Sequence, residues 1–316
     1  MTTLAKVAVP LGALLCLLPA VPSWAALLAG IAVAVAIGNP HLALTKKATG
    51  KLLPYSVVGL GAGMNLNVVA RVGAAGIGYT VVGIALTLGV GWILGRLLRT
   101  PHDTSTLVSV GTAICGGSAI AAVGPAIEAK SQDMSVALGT VFLLNATALV
   151  LFPPIGLYLG LSEPQFGLWA ALAIHDTSSV VGAAMQYGPE ALAVGTTVKL
   201  ARALWIVPVT VLFAYVHLRR HAKTGAPKGA AKRPWFILGF LIAAAVVTWI
   251  PALQDAGKLV EAVARRCLVA TLFLIGASLT TEALKSVGFR PFLQGLLLWL
   301  LVGSATLAAV VFGLIA

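Results

Sequence analysis

The chain has 316 residues, of which 59% are hydrophobic and only 9% are charged. A soluble domain carries about 25% charged residues, so this composition excludes a protein that covers its whole surface with polar groups. It predicts an all-α polytopic membrane protein, because the apolar runs are continuous and long enough to cross a bilayer. The formal net charge of +12 is better explained by basic residues that flank membrane spans than by nucleic-acid binding.

Eleven transmembrane helices are predicted in a single domain of residues 1–316. The spans lie at about residues 7–21, 24–38, 52–70, 75–95, 104–124, 134–158, 166–187, 193–217, 235–252, 259–283 and 291–315. A basic linker at about residues 218–234 separates the eighth span from the ninth. The distribution of Lys and Arg predicts a cytoplasmic N-terminus and a cytoplasmic linker. In this arrangement the outside loops keep Arg71, Lys130 and Lys258.

Two pairs of segments show the internal similarity that is typical of inverted repeats in secondary transporters. Residues 61–73 match residues 276–288, since each begins with Gly-Ala and has Gly twelve positions later. These two segments cross in opposite directions, as inverted repeats should. Residues 115–118 similarly match residues 175–178, and a Gly-Thr pair follows each. The predicted spans five and seven cross in the same direction, however, which does not fit an inverted relation.

The fifth span contains Cys115, Gly116, Gly117 and Ser118 near its middle. Glycine costs about 1 kcal/mol in a helix interior relative to alanine, so two adjacent glycines favour an unwound segment. The freed backbone N–H groups and the positive end of a half-helix form an anion site. The alternative interpretation is close packing of helices through small residues, which requires no ligand.

The seventh span carries His175, Asp176, Thr177 and Ser178 in succession at about mid-depth. A charged side chain at the centre of a bilayer costs roughly 2.5–3.5 kcal/mol on insertion scales, so such residues are rare there and mark functional sites. Histidine titrates near neutral pH, and we therefore expect His175 and Asp176 to couple transport to protons or another ion. Thr177 and Ser178 are expected in the substrate site. The alternative is a cluster that lies near a membrane surface and is hydrated.

Lys199 and Arg202 lie in the eighth span at positions i and i+3, on one helix face. Arginine offers two parallel donors to an oxyanion and lysine offers a point charge, so the pair predicts an anion site. The alternative is a structural salt bridge to Asp176, which explains one of the two cations. Asn145 in the sixth span is a further candidate for substrate binding, although a lone amide often bridges two helices.

Nothing in the sequence indicates a metal centre or a cofactor. The three cysteines, Cys16, Cys115 and Cys267, lie within apolar runs, and their odd number argues against a disulfide framework. No Cys/His spacing is typical of a zinc site. We therefore expect neither a metal ion nor a cofactor.

Three motifs resemble those of the bacterial inner-membrane family that is named for sulfate export: residues 111–120, the run Ile174-His175 followed by an acid, and residues 198–202. The resemblance covers nearly the whole chain, from about Gly30 onward. It implies a secondary transporter related to the cation–proton antiporter and bile-acid symporter folds. Such a fold has a core domain with crossing discontinuous helices and a panel (scaffold) domain, and it often works as an elevator-type homodimer. In the family the histidine is commonly followed by glutamate, whereas this chain has Asp176.

The leading hypothesis is a proton-coupled secondary transporter of a small anion that is sulfate-, sulfite- or sulfonate-like, and not an enzyme. The anion would lie between the Gly116-Gly117 break and the face that carries Lys199 and Arg202. One alternative is a Na⁺/H⁺ antiporter in which Asp176 binds the cation. A remote alternative is an intramembrane serine hydrolase that pairs Ser118 with His175, although the Gly that follows a catalytic Ser in many hydrolases is missing.

Overall fold

The computed structural model describes residues 3–220, 235–279 and 287–315. Most of the predicted basic linker, 218–234, and the end of the predicted tenth span lie outside the described residues. The regular elements of the described part are helices: α1 (Thr3–Leu15), α2 (Ser23–Ala36), α3 (Leu42–Gly61), α4 (Leu66–Leu97), α5 (His102–Ala113), α6 (Gly117–Ala126), α7 (Ser131–Tyr158), α8 (Glu163–Ala173), α9 (Thr177–Tyr187), α10 (Pro189–Ala203), α11 (Ile206–Arg220), α12 (Trp235–Trp249), the short 3-10 turn Pro251–Leu253, α13 (Gln254–Ala277) and α14 (Phe289–Val311).

Four helical segments of the described residues are long and apolar enough to cross a membrane: Gly78–Leu97, Gln132–Tyr158, Pro189–Arg219 and Phe289–Val311. The count rises to five if α12 and α13, which meet at 113°, form one bent span. The class of a multi-pass helical membrane protein is thus confirmed. The number of eleven crossings is not reached by this criterion, and the predicted fifth and seventh spans each form two short helices instead of one long one.

The predicted fifth span is a hairpin of two short helices, α5 and α6. The hydroxyl of Thr104, at the start of α5, donates a hydrogen bond to the carboxylate of Asp133, just after α6. Near the tip, a Cβ placed at Gly111 would lie 3.0 Å from Cδ1 of Ile120. A continuous helix would separate the two ends of this segment by about 35 Å, so α6 must fold back along α5. We call this pair hairpin 1.

The predicted seventh span is also a hairpin, formed by α8 and α9. Oε2 of Glu163, at the start of α8, accepts a hydrogen bond of 2.7 Å from the backbone N–H of Glu190, just after α9. The Tyr187 hydroxyl donates to the carbonyl of Leu161 at 2.6 Å, and the rings of Phe166 and Tyr187 stack with centroids 3.9 Å apart. Both ends of this segment therefore lie at one end of the bundle. We call this pair hairpin 2.

The two hairpins enter the bundle from opposite ends. Helix α7, about 42 Å long from its 28 residues, runs from the end of hairpin 1 to the start of hairpin 2. The tips meet between these ends, since a Cβ at Gly116 would lie 3.5 Å from the Cβ of Asp176. The prediction that spans five and seven cross in the same direction is therefore wrong. Lys130 was predicted in a loop opposite the cytoplasmic linker. It follows hairpin 1, however, and therefore lies at the same end of the bundle as the end of α11, where His217 is 3.7 Å from Glu128.

The helices pack in two groups. One group contains α1, α2, α3, α12 and α13, and the other contains α4 to α11 and α14. Within the first group α2 and α13 approach closely, because a Cβ at Gly30 would lie 2.1 Å from the carbonyl oxygen of Phe273. Between the groups, the Ser23 hydroxyl of α2 donates to the carbonyl of Gly182 in α9 at 2.7 Å. The hairpin tips lie within the second group.

Candidate functional site at the hairpin tips

The tip of hairpin 1 presents the positive end of α6. The break between α5 and α6 covers residues 114–116, and Gly116 is the N-cap residue of α6 with φ +64°. This left-handed conformation favours glycine, which has no Cβ. Glycine supplies no side-chain oxygen to the first N–H groups of the helix, so the N-cap residue leaves the positive end of α6 uncapped.

The tip of hairpin 2 presents the positive end of α9, which is capped. Asp176 is the N-cap residue, and its Oδ1 accepts hydrogen bonds of 2.6 Å from the backbone N–H of Ser179 and from the hydroxyl of Ser178. Its Oδ2 accepts from the Ser179 hydroxyl at 2.9 Å. The carboxylate therefore offsets the dipole of its own helix.

Helix α10 carries two buried basic side chains, Lys199 and Arg202. They lie at the C-terminal ends of α5 and α8, which are the negative ends of those helices. Nζ of Lys199 donates to the carbonyls of Ile174 and Ala171, at 2.6 and 3.3 Å. Arg202 donates from Nε to the carbonyl of Ala113 in hairpin 1 at 2.7 Å, and from Nη1 to the carbonyl of Leu172 in hairpin 2 at 2.6 Å. Both side chains thus satisfy carbonyls that a helix end leaves without partners, and Arg202 joins the two tips.

The alternative of a salt bridge to Asp176 is not what the structure shows. Of the ion pairs within the described ranges, none includes Lys199 or Arg202. Both side chains are almost fully buried, with 0% and 2% exposure. Counting Lys199, Arg202 and Asp176, the buried tips carry two formal positive charges and one negative charge. By formal charge, the site therefore has an excess of one positive charge.

Buried polar atoms without a protein partner surround the tips. The backbone N–H of His175 donates to Oδ1 of Asn145 at 2.9 Å, while both ring nitrogens of His175 and Nδ2 of Asn145 have no partner. The hydroxyls of Thr112 and Thr196 are also buried and also have no hydrogen-bond partner in the protein. A buried polar group without a hydrogen bond costs about 1–3 kcal/mol, and such groups are rare in proteins. Their concentration beside the tips indicates a place for a polar ligand or for water.

The structure brings most of the residues predicted for the site to the two tips. Cys115, Gly116, Thr177 and Ser178 are buried there, and Gly117 is half-buried. Ser118 is exposed at the start of α6. Since both ring nitrogens of His175 lack partners, no hydrogen bond joins them to Ser118, and the Ser–His pair of a hydrolase is not formed.

Sequence reasoning missed the acceptors of the two cations. These acceptors are the backbone carbonyls of residues 113, 171, 172 and 174, and every residue type has such a carbonyl, so the sequence does not mark them. The one indication in the sequence was the presence, in the same apolar chain, of helix-breaking residues and two basic residues. A broken helix leaves carbonyls without partners, and basic side chains can donate to them. The role of Ser179 in binding Asp176 was also missed, although a Ser three positions after an N-cap Asp is within reach of the cap. No group of three His, Cys, Asp or Glu side chains suited to a metal ion occurs in the ranges that the structure covers.

Comparisons with known proteins give relatives that are named only as membrane proteins. The model of a family described as Conserved hypothetical protein 698 matches residues 3–295. A UPF0324 membrane protein of Bdellovibrio bacteriovorus is 64% identical over 312 residues, which cover 99% of this chain and 96% of the relative. Relatives of the same name from Porphyromonas gingivalis and Geobacter sulfurreducens are 51% and 49% identical, covering 90% and 93% of this chain and 85% and 93% of their own lengths. No solved structure matches.

Proposed function

We propose that this chain, which belongs to the family of membrane proteins described as Conserved hypothetical protein 698, is a secondary active transporter of a small anion. The observation that carries the proposal is the formal excess of positive charge at two hairpin tips that meet inside the bundle. The uncapped N-terminus of α6 lies at the same place. Sulfate-, sulfite- or sulfonate-like anions fit this site, because helix N-termini bind such groups through backbone N–H donors.

The charge balance favours an anion over a cation. The three hydrogen bonds that Asp176 accepts from Ser178 and Ser179 already engage both of its carboxylate oxygens. A sodium ion would add a further positive charge beside Lys199 and Arg202. An anion would instead reduce the excess, and it would be held against α6 rather than by the two basic side chains, which are engaged with carbonyls.

The opposed hairpins support alternating access. The two motifs at residues 115–118 and 175–178 lie at the two tips, and the Gly-Thr pairs at 139–140 and 195–196 lie in the crossing helices that follow, α7 and α10. Because the hairpins enter from opposite ends, we infer that these units are inverted repeats of the kind that many secondary transporters have. A site between inverted units can be opened to either side, and movement of the two helix groups against each other would be of the elevator type.

Proton coupling belongs to the same proposal. His175 is almost fully buried at the tip of hairpin 2 and its ring nitrogens have no protein partner, so it is placed to exchange a proton together with Asp176. The proposal includes a bacterial inner-membrane location with a cytoplasmic N-terminus, and assembly as a homodimer.

The test compares two serine-to-aspartate variants at helix starts. Ser118→Asp puts a carboxylate at the exposed start of α6, where it would occupy the anion site, whereas Ser162→Asp changes the N-cap residue of α8 at the mouth of hairpin 2. In the wild type, sulfate, sulfite or taurine should raise the melting temperature and drive counterflow in proteoliposomes. We expect Ser118→Asp to weaken the anion response at least tenfold and Ser162→Asp to leave it unchanged. The proposal fails if no anion acts on the wild type or if both variants behave alike.

The same measurements decide between the proposal and its alternatives. Stabilisation by Na⁺ with no effect of anions would favour a Na⁺/H⁺ antiporter that uses Asp176. Substituting Asp176 with Asn should then abolish the stabilisation by Na⁺. Labelling of Ser118 by a fluorophosphonate probe would favour the hydrolase.

A further inference from the structure

A second polar feature lies at the mouth of hairpin 1, away from the tips. A cavity of about 640 Å³ is lined by the end of α4, the first turns of α5, the residues that follow α6, and the end of α11. Its volume is in the range of ligand pockets, about 300–1,000 Å³. The tip site does not include any of its lining residues.

Two arginines of this cavity lack an acidic partner. In the described part of the chain no carboxylate lies within ion-pair distance of Arg96 or Arg99, and both side chains are exposed. The guanidinium of Arg96 stacks over the ring of Trp92 at 4.4 Å, which fixes its position without neutralising its charge.

The two acids of the cavity lie beside histidines instead. Asp103 is 3.2 Å from His102, and Glu128 is 3.7 Å from His217. The acids therefore have nearer neighbours than the arginines, which remain as the donors that an oxyanion would bind in paired hydrogen bonds.

A buried hydroxyl and the start of a helix lie beside the same cavity. The side chain of Thr100 is only 9% exposed, lines the cavity, and has no hydrogen-bond partner for its hydroxyl. Helix α5 begins two residues later, and its N-cap Pro101 offers no side-chain cap. An unpartnered buried hydroxyl next to an uncapped helix N-terminus is an arrangement that receives an anion.

Two of the charged residues that line the cavity have a strained backbone. Arg99 and Glu128 both have φ +54°, a left-handed conformation at helix C-termini where glycine is the usual residue. Both residues line the cavity. Non-glycine residues persist in this conformation chiefly at functional sites, so the cost of keeping a charge at each position is consistent with a ligand.

We propose that this cavity binds an oxyanion group, a phosphate, sulfate or sulfonate, through Arg96, Arg99, Thr100 and the N-terminus of α5. The oxyanion has two sources, a soluble ion or the phosphate of an anionic lipid, since Trp and Arg at the end of an apolar helix are typical of the membrane interface. This site is separate from the tip site and stands if the proposed function fails.

The experiment uses the purified full-length chain and a matched arginine. Inorganic sulfate and phosphate are titrated against chloride of equal ionic strength, with the melting temperature as readout, and the protein is then compared in nanodiscs of phosphatidylcholine with and without phosphatidylglycerol. The variants are Arg96→Gln with Arg99→Gln, and Arg219→Gln as the control. Arg219 stacks over Tyr215 at 4.6 Å, as Arg96 does over Trp92, but does not line the cavity.

Stabilisation by free sulfate or phosphate that falls at least fivefold in the double variant, and not in Arg219→Gln, assigns the site to a soluble ion. Stabilisation by phosphatidylglycerol alone, lost in the same variant, assigns it to a lipid headgroup. Arg99→Gly controls for misfolding. Glycine adopts φ +54° without strain, so this variant should have a higher melting temperature than the wild type in the absence of ligand, and yet be stabilised less by the anion. The proposal is overturned if neither oxyanion source separates the double variant from the control, or if Arg99→Gly keeps the full response.

Discussion

Gly116 holds a backbone conformation that other residues adopt only with strain. A Cβ at this position would also lie 3.1 Å from Cγ1 of Val141 and 3.5 Å from Cβ of Asp176. The φ of +64° with ψ of −123° at Gly116 lies outside the regions that L-residues populate and costs them about 1–3 kcal/mol, and the contacts would push the two tips apart. We expect Gly116→Ala to lower the free energy of unfolding by about 2 kcal/mol and to abolish stabilisation by anions, both measurable by thermal or denaturant unfolding.

Gly160 provides the matched control for this change. It has φ +65°, but nothing lies within 4 Å of the Cβ that alanine would add. Gly160→Ala should therefore cost about 1 kcal/mol from the backbone alone and leave the anion response intact. An equal loss of response in both variants would show that the geometry of the tip is not the cause.

Arg202 is the residue that holds the two tips together. Lysine keeps the positive charge, but its single nitrogen does not reproduce the fork that binds the carbonyls of Ala113 and Leu172 in different hairpins. Hydrogen bonds from charged groups contribute about 1.5–3 kcal/mol each, so Arg202→Lys should lower the free energy of unfolding by about 3 kcal/mol. Unfolding followed by circular dichroism would measure this.

Arg266 is the comparison for that substitution. Its Nη1 alone donates, to the carbonyls of Leu18 and Pro19 at 3.1 Å and of Val21 at 3.3 Å. Because a single nitrogen makes these bonds, a lysine nitrogen can replace it, and Arg266→Lys should cost about 1 kcal/mol or less. If Arg202→Lys proved equally mild, the charge of Arg202 and not its bridge between the hairpins would be what stabilises the site.

At the scale of elements, one helix break could be predicted, whereas the second break and the path of the chain could not. The Gly116-Gly117 pair interrupts its helix where helix propensity disfavours continuation, but the polar run from His175 was not predicted to end a helix. A hairpin with two arms of about eleven residues, however, has the same length and hydrophobicity as one continuous span. The arms of hairpin 2 are buried in protein rather than lipid, so their residues Phe166–Ala173 are as apolar as those of a span.

Labelling of single cysteines distinguishes hairpins from crossing spans. In a chain whose three native cysteines are replaced by alanine, His102→Cys and Lys130→Cys should react with a membrane-impermeant maleimide from one side of the membrane. Ser162→Cys and Glu190→Cys should react from the other side. These pairs follow from the contacts that close each hairpin mouth. If both segments crossed the membrane, positions 130 and 190 would be labelled from one side and positions 102 and 162 from the other. That result would contradict the hairpins.

At the scale of the whole molecule, the hairpins change the distribution of charge. Arg96, Arg99 and Lys130 now share one end of the bundle with the end of α11, while Glu163 and Glu190 lie at the other. Basic residues are retained on the cytoplasmic side, so this asymmetry supports the orientation predicted from the sequence better than eleven crossings did. The predicted orientation does not depend on the hairpins. One hairpin replaces a crossing at each end of the bundle, so the elements outside the hairpins run in the same directions in both arrangements.

The contact between the two helix groups offers a test of how they move. A Cβ at Gly182 in α9 would lie 3.5 Å from the Cβ of Ser23 in α2, which is within the range that a disulfide spans. We expect oxidised Ser23→Cys/Gly182→Cys to lose anion counterflow in proteoliposomes at least tenfold, while anion binding, measured as thermal stabilisation, stays within twofold of the wild type. Reduction should restore counterflow, because the crosslink blocks displacement of one group against the other without altering the tips.

The single variants control for the crowding of Leu149 and Leu272 by the new side chain. Counterflow that persists in the fully oxidised protein would show that the groups stay fixed, and alternating access would then have to arise within the second group, by movement of a hairpin.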